Sequence, residues 1–151
     1  MIQKVEFNTL LVPVDFTDNS KAAFAQAVGL IAGDNPVIIL LHVIDSALPE
    51  FAEAHDLGPR EQIAKRMRDR AESLLAEYTD QCPDGIEIDP IVCEGRPFME
   101  ILQKADDFAV DAIVMSKIGR RGKVEELLFG STAEKVLRGS DKPVIVLPSC
   151  A

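Results

Sequence analysis

Cysteine is scarce in this sequence, and long apolar runs are missing. The three cysteines, Cys82, Cys93 and Cys150, are odd in number and far apart, a pattern that suits a reducing compartment and argues against a disulfide framework or a metal cluster. The longest unbroken apolar run, residues 37–41, is far too short to span a bilayer. Residues 1–8 lack the charged start and apolar core of a secretion signal. We therefore expect a cytoplasmic protein that does not insert into membranes.

Basic residues are outnumbered by acidic ones. Sixteen Lys and Arg stand against twenty-five Asp and Glu in 151 residues, which gives a net charge of −9. This charge repels nucleic acid overall, whereas a nucleic-acid-binding domain normally presents a basic face. We expect no nucleic-acid partner, although Arg120, Arg121 and Lys123 could form a local basic patch.

Motifs for dedicated catalysis are also missing. The sequence has no HExxH or CxxC metal pattern and no legible Ser-His-Asp arrangement. His42 lies inside an apolar run and is expected in the core or at a pocket edge, while His55 has no partner by spacing. We expect no catalytic residue and no protein-held metal. Mg²⁺ or Mn²⁺ held through phosphates would support at most slow phosphoryl transfer.

The sequence does contain a regular alternation of short apolar runs and longer helical patterns. The predicted strands are residues 9–14, 36–43, 86–95, 111–116 and 142–148. The predicted helices are residues 18–32, 60–80, 97–108 and 131–140. Residues 44–59 contain two prolines and predict a connection with at most a short helical turn. This alternation predicts one α/β domain over residues 1–151, an open five-stranded parallel sheet, doubly wound, with helices on both faces.

Local signals predict details of the first and last helices. Asp18 and Asn19 are candidate caps of the first helix. Its apolar face is expected to contain Ala22, Ala25, Val28 and Leu30. The last helix is expected to open with a capping box of Ser131 and Glu134.

Two segments have the composition of a ligand site at the carboxyl ends of strands. Asp15 closes the first strand, and residues 119–132 follow the fourth with three glycines and three basic residues. Ligands of open α/β sheets bind beyond the carboxyl ends of the strands, where the strand order reverses. Alternation alone does not give the strand order. We expect 3-2-1-4-5, because strands one and four are then neighbours and the two segments face each other.

The second segment has the parts of a phosphate site. Glycines permit backbone angles closed to other residues and let a ligand approach bare N–H groups. The last glycine directly precedes a helix, whose first amides are unpaired and favour anions. The candidate residues are Gly119, Arg120, Gly122, Gly130, Ser131 and Thr132. The spacing is neither a Walker loop nor G-x-G-x-x-G. The same residues also fit a turn, a helix cap and a solvated basic loop.

The chain resembles the universal stress protein family over residues 6–148. The similar stretches are "LLVPVDFT", "LLHV", "EGRPFMEIL" and above all "IVMSKIGRRGKVEELLFGSTAEKVLRGSDKPVIVLP". The ATP-binding branch of that family carries G-x2-G-x9-G-[ST]. Two departures occur here: Ser116 stands at the first glycine, and ten residues separate Gly119 from Gly130. Pairing Gly119 with Gly122 restores the first spacing but leaves seven residues before Gly130.

The resemblance implies ATP, or AMP or ADP, as the ligand, with Mg²⁺ or Mn²⁺ held through the phosphates. It implies that Asp15 binds the ribose. It implies a base pocket lined by Pro13, Val14, Val43 and Met115, and phosphate contacts from Gly119, Gly130, Ser131 and Thr132. Ser116 would either clash with the ligand or contact a phosphate through its hydroxyl.

Three functions fit these features. The first is an ATP-binding stress-response regulator, in which the nucleotide orders residues 117–129 and 45–58 and so acts as a switch on a protein partner. The second is a nucleotide-free interaction module, for example an accessory to a transporter or kinase. The third is a slow ATPase or a protein that phosphorylates itself on Ser131 or Thr132.

The last predicted strand also suggests a partner. Residues 143–148 are apolar between two prolines, and an exposed apolar edge is a liability unless it is paired or covered. We expect a twofold homodimer through this strand, as the resemblance also implies. Coverage by the C-terminal tail or by a helix is the alternative.

Overall fold

The computed structural model of the protein is a parallel sheet with helices on both faces, and it describes residues 1–118 and 129–148. The strands are β1 (Thr9–Pro13), β2 (Val37–Asp45), β3 (Glu87–Gly95), β4 (Ala112–Ser116) and β5 (Val144–Leu147). All neighbours pair in parallel, in the order β3-β2-β1-β4-β5. The predicted fold class and the strand order 3-2-1-4-5 are confirmed.

Five helices connect these strands. They are α1 (Asp18–Leu30), α2 (Ala47–Ala54), α3 (Arg60–Gln81), α4 (Pro97–Asp107) and α5 (Ser131–Gly139). The two-turn helix α2 occupies the connection in which at most a short helical turn was expected. Pro49 does not prevent it, because this proline lies in the first turn, where a backbone N–H has no helical partner. The Asp45 carboxylate accepts the Ala47 N–H at 3.0 Å and closes the turn into α2.

Two hydrophobic cores lie on opposite faces of the sheet, because successive residues of a strand point to opposite sides. Leu10 and Val12 of β1 belong to the core under α1 and α3, whereas Leu11 belongs to the core under α4 and α5. All three are fully buried. The predicted doubly wound arrangement therefore follows from near-continuous apolar strands that are covered on both sides.

The start and the buried face of α1 differ from the prediction. The N-cap is Thr17, whose hydroxyl accepts the Ser20 N–H at 3.2 Å, and not Asp18 or Asn19. The buried residues of α1 are Ser20, Ala23, Phe24 and Ala27, whereas Ala25 and Leu30 are exposed. Alanine occurs on every side of this helix, so its apolar period is ambiguous. The face that carries Phe24 packs inward, with its ring 5.2 Å from that of Tyr78.

Strand β5 lies at an edge of the sheet, as predicted. Among the described residues it pairs with β4 alone. Its four residues are apolar and half-buried. In the described part of the chain, no helix has both the length and the apolar character needed to cross a membrane.

Two glycines near the end of α1 give a test of this backbone. Gly33 has φ +100°, and a Cβ there would overlap the Asn8 side-chain oxygen, whereas a Cβ at Gly29 would meet open space. We expect Gly33→Ala to lower the free energy of unfolding by about 1–3 kcal/mol through backbone strain. We expect Gly29→Ala to raise it by up to about 1 kcal/mol through helix propensity. Urea unfolding followed by circular dichroism measures both, and equal stability of Gly33→Ala and the wild type would contradict this description.

Candidate functional site

The carboxyl ends of β1, β2 and β4 open into a cavity of about 650 Å³, which we call the central cavity. Nine residues predicted for the site line it: Pro13, Val14, Asp15, Val43, Met115, Ser116, Gly130, Ser131 and Thr132. The other three, Gly119, Arg120 and Gly122, lie outside the described residues. The structure therefore brings together every described member of the predicted set.

Hydrogen bonds fix the two site segments relative to each other. The Lys117 N–H donates to the Leu147 carbonyl at 2.8 Å, which extends the β4–β5 pairing by one residue. The Gly130 N–H in turn donates to the Lys117 carbonyl at 2.8 Å, so the start of α5 is attached to the end of β4. Across the sheet, the Asn19 side-chain amide donates to the Ile118 carbonyl at 3.3 Å. These bonds join the β1–α1 turn to the segment after β4.

Asp15 organises the turn between β1 and α1. Its Oδ1 atom accepts hydrogen bonds from the Thr17 N–H at 3.1 Å, from the Thr17 hydroxyl at 2.5 Å and from the Ser20 hydroxyl. The Asp15 N–H donates to the Ser20 Oγ atom at 2.9 Å. Among the described residues, Ser20 is the only polar residue that is buried. The Asp15 carboxylate is thus held in one orientation at the edge of the central cavity.

The start of α5 corrects the predicted capping box. The N-cap residue is Gly130, so Ser131 is the first helical residue, and no side chain in the described part of the chain caps this end. Glu134 does not reach back to the N-terminus and instead pairs with Arg138 at 2.8 Å. The orphan amide groups at a helix start attract anions when no side chain satisfies them. Here they lie at the central cavity.

Gly130 itself does not have the special backbone angles that we expected. Its φ of −63° and ψ of 151° are open to any residue. The part of the prediction that remains is close approach, since a glycine has no Cβ to separate a ligand from the backbone.

An aromatic pair that the sequence did not indicate forms one wall of the cavity. The rings of Phe16 and His42 lie 4.4 Å apart, centroid to centroid. The His42 Nδ1 atom is 2.7 Å from the Val14 carbonyl, which can only accept, so Nδ1 carries the hydrogen. Phe16 has φ 67°, a left-handed angle uncommon for a bulky residue. His42 is therefore a pocket-edge residue, one of the two positions predicted for it.

Helices α2 and α3 contribute a second group of residues that sequence reasoning missed. Leu48 of α2 and Met67, Arg70 and Ala71 of α3 line the central cavity. The only signal in the sequence was the length of the 45–58 connection, because the face of α3 that reaches a site depends on packing. Arg70 adds a positive charge to a cavity whose other described charged residues are Asp15, Asp45 and Lys117.

Tyr78 is a buried residue whose pKa is affected by the negative charge of the β1–α1 turn. Its hydroxyl is buried and has no hydrogen-bond partner among the described residues. Burial, and then the nearby charges of Asp15 and Asp18, raise the pKa of Tyr78 to about 12. Its ring makes a T-shaped contact with the Phe16 ring, with centroids 6.3 Å apart. Tyr78 belongs to the core under α1 and α3, so the charge of the Asp15 carboxylate is felt in that core.

The two described thiols, Cys82 and Cys93, show no sign of activation. Burial raises the pKa of Cys82, and burial followed by the charge of Glu100 raises the pKa of Cys93. A raised pKa lowers the thiolate fraction, which is the reactive form. Over residues 1–118 and 129–148, no group of three or more His, Cys, Asp or Glu could hold a metal ion. Cys150 lies outside the described residues.

Comparison with known proteins identifies relatives over almost the whole chain. The model of the universal stress protein family matches residues 6–148. Universal stress protein MJ0577 of Methanocaldococcus jannaschii is 26% identical over 95% of this chain and 96% of its own length. A solved structure of MJ0577 superposes with a TM-score of 0.86 at 27% identity, covering 97% of this chain and 99% of that one.

Two further relatives show the breadth of the similarity. A universal stress protein of Thermus aquaticus is 31% identical over 93% of this chain and 98% of its own length. The crystal structure of a universal stress protein in complex with cAMP has a TM-score of 0.60 at 22% identity, covering 95% of this chain and 98% of that one. At that identity the likeness is one of fold.

The Tyr78 environment can be tested directly, because the chain has one tyrosine and no tryptophan. Ultraviolet absorbance during an alkaline titration should give a Tyr78 pKa of about 12. Asp15→Asn should lower that pKa because it removes a nearby negative charge. Asp34→Asn, which changes an exposed carboxylate in the α1–β2 turn, should not. A wild-type pKa near the ordinary value, or no response to Asp15→Asn in the folded protein, would contradict this geometry.

Proposed function

Because this chain belongs to the universal stress protein family, we propose that it is a stress-response protein that binds ATP in the central cavity and acts as a nucleotide-dependent switch. Mg²⁺ or Mn²⁺ would be held mainly through the phosphates, because these metal ions prefer oxygen ligands and the phosphates supply them. The function combines a binding site for the nucleotide with a surface that a protein partner recognises.

One observation carries the proposal: three kinds of surface that an adenine nucleotide needs converge on one cavity. Apolar side chains of Pro13, Val43 and Met115 suit a flat base. The fixed carboxylate of Asp15 suits the hydroxyl donors of a ribose. The uncapped start of α5 at Gly130 suits phosphates. A cavity of about 650 Å³ lies within the usual range for ligands of this size.

The similarity to the family agrees with ATP as the ligand, but the proposal does not depend on that similarity. A universal stress protein of this fold has been solved in complex with cAMP, so the fold can hold an adenine nucleotide. Its 22% identity to this chain extends to fold alone. Ser116 stands where the ATP-binding branch has its first glycine, and its half-buried side chain lines the central cavity. A hydroxyl at that edge can donate to a phosphate.

The switch proposal comes from the elements that border the cavity. Leu48 lines the cavity and is 42% exposed, and Phe51, one turn on, is 57% exposed. A ligand that contacts Leu48 also touches the helix that carries Phe51 on its surface. On the other side, Lys117 lies over the Phe129 ring at 5.3 Å, beside the α5 start at which phosphates would lie. Nucleotide binding would therefore alter two surfaces open to a protein partner.

Assembly through β5 completes the proposal. Of the described residues, only those of β4 pair with β5, and its apolar side chains are half-buried. A second copy of the chain could pair along this edge with twofold symmetry, which removes the exposed edge.

Analysis of the purified protein for bound small molecules tests the ligand. We expect denaturation to release ATP or ADP in near-stoichiometric amount, or Mg-ATP to raise the melting temperature of ligand-free protein by linkage. No released nucleotide together with no thermal shift would favour the nucleotide-free interaction module instead.

Gly130→Val tests the position of the phosphates. The backbone angles of Gly130 are allowed for valine, so the melting temperature should stay close to the wild-type value. The added side chain should block the approach to the α5 amides and weaken ATP binding about ten- to hundredfold, the equivalent of one charge-assisted hydrogen bond. Gly130→Ala should have a smaller effect. Isothermal titration gives the affinities, and wild-type affinity in Gly130→Val would place the phosphates elsewhere.

A further inference from the structure

Helix α2 and the turn after it expose three large apolar residues in the short stretch 48–57, namely Leu48, Phe51 and Leu57. Leu48 lines the central cavity. Phe51 and Leu57 lie outside that lining and are 57% and 68% exposed. Apolar residues that are grouped on one exposed segment mark a surface that contacts another molecule.

The Phe51 ring is restrained by His55, one turn further along the helix. The two rings are stacked, with centroids 4.0 Å apart and an angle of 23° between their planes. The His55 Nδ1 atom lies 2.9 Å from the Phe51 carbonyl, which can only accept, so Nδ1 carries the hydrogen. The stack therefore limits the freedom of an exposed aromatic ring. We call Phe51, His55 and Leu57 the α2 patch.

The end of α2 fixes the position of Leu57. Asp56 has φ 57°, a left-handed angle. Its N–H donates to the Glu53 carbonyl at 3.2 Å, and the Leu57 N–H donates to the Ala52 carbonyl at 2.9 Å. These two bonds form the Schellman motif, which closes the C-terminus of a helix. The backbone of Leu57 is thus attached to α2, although the residue itself stays exposed.

Helix α2 is in turn joined to the rest of the fold at this end. The Glu53 Oε2 atom accepts the Arg60 N–H at 2.7 Å, which links the end of α2 to the start of α3. The Arg60 guanidinium pairs with the Glu94 carboxylate near the end of β3. The α2 patch is therefore presented on ordered backbone, and little conformational entropy is lost when a partner covers it.

The segment that carries the α2 patch is acidic. Glu50, Glu53 and Asp56 are exposed, and residues 47–59 contain no Lys or Arg. With His55 neutral, this segment has a net charge of −3 (0 − 3 = −3). The α3 residue Arg70 brings a positive charge to the central cavity, outside the α2 patch.

This charge decides which kind of partner the patch fits. Two copies that met through the same face would bring three carboxylates against three, and like charges across an interface oppose binding. Nucleic acids and the anionic surface of a membrane are disfavoured for the same reason. Charge complementarity instead favours apolar side chains that are flanked by cations.

We infer that the α2 patch docks a protein segment in which Lys or Arg residues flank apolar side chains. The inference rests on the proposed function and extends it, because it names the chemistry of the partner that the switch addresses. The apolar side chains would cover Phe51 and Leu57, and the cations would lie against Glu50 and Asp56. The nucleotide site and the docking site would share α2, since Leu48 of this helix lines the central cavity.

Fluorescence anisotropy with a labelled synthetic peptide tests the docking site. The probe is an amphipathic helix of leucine and lysine, and a second peptide has glutamate in place of every lysine. We expect the full chain, with or without Mg-ATP, to bind the leucine–lysine peptide at least about tenfold more tightly than the leucine–glutamate peptide, because its cations match the acidic segment. Added salt should weaken this binding by screening the charges.

Two pairs of variants locate the binding. Phe51→Ser/Leu57→Ser should weaken binding of the leucine–lysine peptide about tenfold, because two apolar contacts are lost. Met99→Ser/Leu137→Ser, which changes exposed apolar residues of α4 and α5, should stay within about twofold of wild type.

The second pair tests the charges. Glu50→Gln/Asp56→Asn should weaken binding about fivefold, as expected for two exposed ion pairs. Asparagine tolerates the left-handed angle of Asp56, so the turn should be preserved. The charge-matched control Asp34→Asn/Asp84→Asn changes exposed carboxylates elsewhere and should keep the wild-type affinity.

The outcomes that overturn the inference are distinct from a failure of the proposed function. Equal binding of the two peptides, no binding of either, or equal losses in the Phe51/Leu57 variant and in its Met99/Leu137 control would overturn it. So would self-association or binding to anionic lipid vesicles that Phe51→Ser/Leu57→Ser abolishes, since the patch would then serve a second copy or a membrane.

The affinity for Mg-ATP, measured on the same proteins, separates the two proposals. Phe51→Ser/Leu57→Ser should bind Mg-ATP as the wild type does, because neither residue lines the central cavity. A wild type that binds no nucleotide but docks the leucine–lysine peptide through the α2 patch would contradict the proposed nucleotide switch and leave the docking site in place.

Discussion

The parallel pairing of β1 with β4 is the constraint on which the cavity depends, because it turns two distant chain segments into neighbours. Leu10 and Leu11 lie opposite Ala112 and Ile113, a separation of about a hundred residues in sequence. Chain connections leave this pair in opposite directions, so the strand order reverses here and a crevice opens at the carboxyl ends. The β1–α1 turn and the start of α5 meet across that crevice. Without this pairing, Asp15 and Gly130 would not line the same cavity.

The two helix starts at the crevice differ in whether side chains satisfy their backbone N–H groups. At α1, the Thr17 hydroxyl and the Asp15 carboxylate satisfy the local donors, so this start is closed by its own side chains. At α5, Gly130 offers no side chain, and Glu134 pairs with Arg138 instead of reaching back. Among the described residues, no side chain takes up the amide donors of this second start. The difference supports the proposed phosphate-binding role of the α5 start, while the α1 start holds a fixed carboxylate.

Strong sequence signals came from the short, nearly continuous apolar strands, and weak signals came from contacts that only folding creates. The β-α alternation predicted the parallel sheet. The strand order was expected from the two site segments that should face each other, and the base-pocket residues Pro13, Val14, Val43 and Met115 came from the family resemblance. The face of α1 was wrong because alanines surround that helix, and the capping box was wrong because Gly130 took the cap position ahead of Ser131. Phe16 and the α3 residues Met67 and Arg70 were missed because a left-handed phenylalanine and a distant helix face carry no local pattern.

Placement of the phosphates at the start of α5 is the central claim, and a crystal structure grown with excess Mg-ATP tests it most directly. We expect phosphate oxygens within about 3 Å of the backbone amides of Ser131 and Thr132, with the Asp15 carboxylate on the ribose hydroxyls. A nucleotide bound elsewhere, or a central cavity filled by the protein's own side chains in the presence of Mg-ATP, would contradict the claim.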